Sequence, residues 1–167
     1  MSLFPGLAEL RDSIDHLDHS LLLLWAERNK FARNLPPKER EVQWQAQDFV
    51  GLAAQWGLAP AFVGELGLAL DQAALPTALG ATSNLEDLWG SLMRLDRVLL
   101  EVLSERFKVV VRIGRIKKEQ QIAPLDPSRW NSLLAERLAL ARDLGLKAEA
   151  VVHLFEAVHR YALQLES

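Results

Sequence analysis

There is no cysteine in the chain, which rules out disulfides, thiol nucleophiles and thiolate metal sites together. Nor is there an excess of positive charge: Lys and Arg number 19 against 22 Asp and Glu, a net charge of −3. That balance argues against a nucleic-acid partner, while local basic clusters remain available for a small anion. Long apolar runs are missing too. The longest, Leu21 to Ala26, is far too short to span a bilayer. The opening MSLFPGLAELRDSID lacks a basic start and meets acidic residues at once, so it does not read as a signal peptide. No stretch alternates with the period of a strand. The expectation is an all-α, cytoplasmic chain with neither membrane nor nucleic acid as partner.

What is present is helical periodicity. Half of the 167 residues are hydrophobic, enough for one helical domain or two small units sharing a core. Leu7, Leu10, Ile14, Leu17, Leu21, Leu24 and Phe31 recur at spacings of three, four and seven, predicting an amphipathic helix to about Leu35. Pro36 and Pro37 break it. A second helix is expected from about Lys38 to Gln55, ended by Gly57, and a third from Pro60 to Ala73. The stretch around Ala74 to Asn84 reads as a linker. Another long helix carries the stripe Leu88, Leu92, Leu95, Leu99, Val102, Val109, Ile113 and Ile116. After a loop over Glu119 to Leu125, Asp126 and Pro127 make an N-cap and first helical position for a helix to about Leu144. Gly145 stops it, and the last helix runs from about Ala148 to Leu165.

The two halves match each other. LAELRDSIDHLDHSLLLLWAERNKF lies over LEDLWGSLMRLDRVLLEVLSERFKV, with Asp18 over Asp96 and Arg28 over Arg106, both at an offset of 78. Further on, QWGLAPAFVGEL lies over DLGLKAEAVVHL, with Gly57 over Gly145 at an offset of 88. The ten-residue difference implies that the first half has lost a loop and some adjoining helix. A repeat this long points to internal duplication: 1–75 a degenerate first repeat, 76–84 a linker, 85–167 a second repeat, folded together as one unit.

Arg28 and Arg106 each fall on the apolar seam of a long helix. A buried arginine is costly unless an anion or a partner satisfies it, and a structural ion pair with a glutamate of the other half is the plain alternative to a ligand. Lys117 lies eleven residues beyond Arg106, almost three turns, and so returns to the same face about 16 Å along. Arg129 sits in the first turn of a helix, where the dipole disfavours a cation. Three cations aimed at one interior volume point to a small polyanionic ligand.

In order, LSER, GRIK, DPSR and a GL-punctuated last helix resemble the small helical chorismate mutases, and LRDSID in the first half resembles the start of the same family. The resemblance implies an intertwined three-helix dimer in which each site borrows one arginine from the partner. Here it implies a monomer mimicking that dimer, with Arg11 taking the partner's place. It assigns Arg106 to a substrate carboxylate, Lys117 to a carboxylate and the ether oxygen, and Asp126 and Arg129 to substrate binding. Glu166 stands where the family usually has the glutamine that helps the ether oxygen. The plain alternative for Glu166 is a frayed, solvated side chain. The converse site keeps Arg28, but its lysine and loop fall in the deletion, and Trp89 replaces its borrowed arginine. The implied substrate is a small dicarboxylate, and the implied reaction needs no metal, cofactor, nucleophile or base. The four histidines, His16, His19, His153 and His159, therefore have no assigned role and read as surface or core positions.

Two departures leave the substrate open. Trp130 follows Arg129 where the family usually has a glutamate for the ring hydroxyl, and Ala162 occupies a position often held by serine. Trp130 reads equally as a substrate contact or as a tryptophan in a shallow core. The readings in play are a chorismate mutase, an isochorismate pyruvate-lyase, an aminodeoxychorismate mutase, or a catalytically silent regulatory module. Convergence of Arg11, Arg106, Lys117 and Arg129 on one pocket favours an enzyme. Pairing with carboxylates or exposure to solvent favours the silent module.

Overall fold

The computed structural model describes residues 6–32, 54, 55, 57–72 and 85–166. Within them lie five helices: α1, Leu7–Ala32; α2, Pro60–Gln72; α3, Leu85–Glu119; α4, Pro127–Asp143; and α5, Ala148–Glu166. No strand occurs among the described residues, so the chain is all-α there, as its periodicity predicts. None of these helices is long and apolar enough to cross a membrane. The linker expected over 76–84 lies outside the described residues, as does the helix expected over 38–55 apart from Ala54 and Gln55.

Local chemistry sets the helix ends. Gly57 and Gly145 have φ of 77° and 75°, the left-handed region that favours glycine after a helix. In each case the next helix begins three residues later. Asp126 is extended, its carboxylate accepts from the Arg129 N–H, and Pro127 opens the first turn of α4. That satisfies a backbone donor left free at the helix start.

The most extensive helix pair is α1 against α3. The two run antiparallel: Asp18 pairs with Arg106 and Arg28 with Asp96, so the number rises on one helix as it falls on the other. From Ile14 to Ala32 the buried stripe of α1 is Ile14, Asp18, Leu21, Leu22, Trp25, Arg28 and Ala32. Shifted by the 78 residues of the sequence repeat, it becomes Leu92, Asp96, Leu99, Leu100, Leu103, Arg106 and Val110, every one buried.

The expected stripes therefore sit slightly off the true seam. Leu17, Leu24, Phe31, Leu95, Val102, Val109 and Ile116 are half-buried flanks, and Trp25, Leu103, Phe107 and Val110 take the centre. The seam passes through Asp18, Arg28, Asp96 and Arg106, which a search for apolar residues steps around. One core draws on all five helices. Helix α2 is fixed to it by Phe62, which stacks on Tyr161 at 5.3 Å and meets Phe107 edge-on at 5.2 Å. The Tyr161 hydroxyl donates to Gly57 O and accepts from Ala59 N, each at 3.2 Å, so its polar end is satisfied at the start of α2.

Candidate active site

One pocket of about 90 Å³ opens between α1, α3, α4 and α5, ample for a small molecule when a single water takes on the order of 10–15 Å³ on this measure. Helical spacing explains its walls. Helix α3 contributes Arg106, Val110, Ile113 and Lys117, at steps of four, three and four; α5 contributes His159, Ala162, Leu163 and Glu166. Such steps keep each set on one face. Arg11 and Ile14 come from α1, Arg129, Trp130 and Leu133 from α4, and Pro124 and Asp126 from the loop between α3 and α4. All seven residues singled out in the sequence, Arg11, Arg106, Lys117, Asp126, Arg129, Trp130 and Glu166, border this one pocket.

Each cation is held differently. Arg106 donates Nε and Nη2 to Asp18 at 2.6 and 3.2 Å, which leaves the Nη1 side of its fork for a ligand carboxylate. Lys117 Nζ donates to Pro124 O at 2.7 Å and meets the Glu166 oxygens at 3.3 and 3.4 Å. A tight ammonium–carboxylate contact is roughly 2.7–2.9 Å, so a ligand can displace this pairing. Arg129 is only partly buried and stands 3.8 Å from Asp15. Burial, and then the like charge of Arg11, hold its pKa below the ordinary arginine value. An anion between Arg11 and Arg129 would relieve that repulsion.

Glu166 is buried, 8 % exposed, which sets aside the frayed alternative. A Cβ on Gly114 would lie 3.0 Å from Glu166 Cα, so the glycine of GRIK is what lets the last turn of α5 close on α3. Burial pushes the Glu166 carboxyl above the usual glutamate range, against the opposing pull of Lys117, Arg106 and Arg11. Asp126 is engaged as the cap of α4, accepting from Arg129 N at 3.2 Å, and so orients Arg129 while bordering the pocket. Trp130 lies flat on His159, ring centroids 4.0 Å apart.

Three participants escaped the sequence reading. Arg137 is buried behind the pocket and bridges Asp18 at 3.0 Å and Asp15 at 2.6 Å. Burial opposes its charge, but Asp18 and Asp15 together raise its pKa. It follows Arg129 and Leu133 on one face of α4, so it was legible by the rule that flagged Arg106. Asp18 aligned with Asp96 in the repeat, yet its place on the buried stripe carried the further signal that it faces the other half's arginine. His159 shares the α5 face of Ala162 and Glu166, and the structure makes it pocket wall rather than surface or core. Its companions fit the plain reading better: His16 and His19 are exposed, and His153 lies 3.9 Å from Glu65.

Residues 88–167 match the family model of chorismate mutase type II. The second half of the chain belongs to that family. The matched span supplies every polar residue that borders the pocket except Arg11, which α1 contributes from outside it together with Asp15 and Asp18 behind the pocket. No match to the chain was found among curated proteins or solved structures.

Proposed function

We propose that the protein is a chorismate mutase-type isomerase that converts chorismate to prephenate in one pocket per chain. The observation carrying this reading is that Arg11, Arg106, Lys117 and Arg129 border a single small pocket together with a buried Glu166, within a chain whose second half belongs to that family. The reaction breaks one C–O ether bond and forms one C–C bond in a concerted shift. No proton, electron or co-reactant is gained or lost, so the protein's task is to hold the compact conformer and stabilise negative charge growing on the ether oxygen.

The roles follow from chemistry. Arg11, Arg106 and Arg129 receive the two carboxylates, and Lys117 reaches a carboxylate and the ether oxygen. Protonated Glu166 donates to the same oxygen, which can only accept. Asp18 and Arg137 fix Arg106 from behind. We infer further that the chain is an internal duplication, 1–75 and 85–167 about a linker at 76–84, working as a cytoplasmic monomer. The matching buried stripes, the reciprocal Arg–Asp pairs and the matching glycine turns support the duplication.

A lyase acting on isochorismate is the second reading, favoured by the Trp130 and Ala162 stretch of wall, which offers little hydrogen bonding. The deciding experiment incubates the protein with chorismate, isochorismate and aminodeoxychorismate and identifies products by mass and retention. Prephenate from chorismate alone is expected. Pyruvate from isochorismate would establish the lyase, and no product from any of the three would leave a silent module.

A further inference from the structure

We propose that His159 is a ligand-binding residue, a neutral imidazole that hydrogen-bonds an uncharged polar substituent of the substrate. The proposal rests on the reading of the pocket as a chorismate site and adds to it what fixes the ring. Most of the other polar side chains bordering the pocket are already engaged: Arg106 with Asp18, Lys117 with Pro124 and Glu166, Asp126 with the α4 backbone. All of them are also ionisable, suited to charge. Among the described residues the ring nitrogens of His159 make no hydrogen bond, although the residue borders the pocket.

Its ring is held in place by Trp130, stacked at 4.0 Å with the planes 11° apart, so it is oriented without spending its nitrogens. Burial, then Arg106 and Lys117, disfavour its protonation by holding its pKa below the usual histidine value. A neutral imidazole presents one N–H donor and one acceptor nitrogen, the complement of a hydroxyl. It offers nothing to a carboxylate that the cations do not offer better, and it lacks the negative charge that would attract an ammonium. Beyond its carboxylates and ether oxygen, chorismate carries one such group, the ring hydroxyl. His159 thus reads the ring substituent, and Trp130 positions it.

The test compares wild type, H159F and H159N on chorismate and on an analogue that keeps both carboxylates and the ether but lacks the ring hydroxyl. Phenylalanine preserves the stack on Trp130, and asparagine restores a neutral donor and acceptor. For chorismate, H159F should raise KM about 10-fold, the loss of one hydrogen bond, with kcat nearly unchanged because the hydroxyl is not a reacting atom. H159N should recover most of that. Against the deoxy analogue, calorimetric Kd values for wild type and H159F should coincide. An equal penalty for both ligands would make His159 merely structural, and no penalty for either would remove it from the site; both outcomes overturn the proposal while wild type still makes prephenate. Failure of wild type to bind or convert chorismate would overturn the chorismate reading, and this assignment with it.

Discussion

Arg106 and Arg28 each hold an aspartate of the opposite helix, but Arg106 also borders the pocket. Removing it leaves Asp18 still bound to Arg137 at 3.0 Å, so the fold should tolerate the loss better than the chemistry does. R106A is expected to lower kcat/KM by about 10²–10³-fold, as for removal of a preorganised charge donor. R28A breaks a fully buried pair, at a typical cost of about 3–5 kcal/mol, and should lower Tm by roughly 10 °C while kcat/KM measured well below that Tm stays within a few-fold. Equal catalytic losses from the two would contradict a single working pocket. Glu166 adds a pH dependence. Its folded-state pKa is raised, first by burial, so the folded protein binds this proton more tightly than the unfolded chain does. As pH climbs from the ordinary glutamate value through the raised one, stability from this group falls, the donor proposed for the ether oxygen is lost, and a negative charge would face that oxygen. Turnover should therefore decline with rising pH over that window. E166Q donates at any pH and should flatten the pH–rate profile; an unchanged profile would exclude the donor role.

At the scale of helices, the close approach of α3 and α5 places Glu166. In G114A the new methyl would sit 3.0 Å from Glu166 backbone, closer than packed carbons approach, so the last turn of α5 must move. Such overpacking costs roughly 1–3 kcal/mol, and displacing a reacting group by about 1 Å can cost up to about 100-fold in rate. G114A is expected to lose at least tenfold in kcat/KM on the order that this implies and to flatten the pH profile as E166Q does. G90A serves as the control, since its methyl would meet nothing closer than the flexible tip of Arg94 at 3.7 Å, and it should leave activity intact. A G114A protein with wild-type rate and pH profile would show that α5 seats Glu166 without this contact. The described helices were legible because their ends are written in single residues: Gly145 and the Asp126–Pro127 pair. The seam was legible only in part. Hydrophobic periodicity finds leucines, and here the centre of the interface is Asp18, Arg28, Asp96 and Arg106, whose burial depends on a partner far away in sequence. The pocket cations could be read because arginine and lysine on an apolar face demand an anion, whereas the clearance at Gly114 and the Trp130–His159 stack depend on how helices approach, which no local pattern encodes.

At the scale of the whole molecule, the antiparallel α1–α3 pair with its two reciprocal ion pairs has the form of a two-fold interface built within one chain. In a symmetric dimer each pocket would draw its fourth cation from the other subunit. Here Arg11 of α1 borders the same pocket as Arg106 of α3 in one chain, so the single-chain pocket proposed above would need no second copy. Turnover per chain should then be independent of protein concentration, and a tight transition-state analogue should titrate one site per chain. Mixing two dead variants gives the sharper test. If Arg11 served a pocket on another molecule, combining R11A with R106A would regenerate pockets with both arginines intact, and activity would return on mixing. With both arginines supplied by one chain, every pocket in the mixture lacks one of them, and activity should stay at the level of the separate variants. Recovery on mixing, or two analogue molecules bound per chain, would replace the single-chain pocket with an intermolecular one.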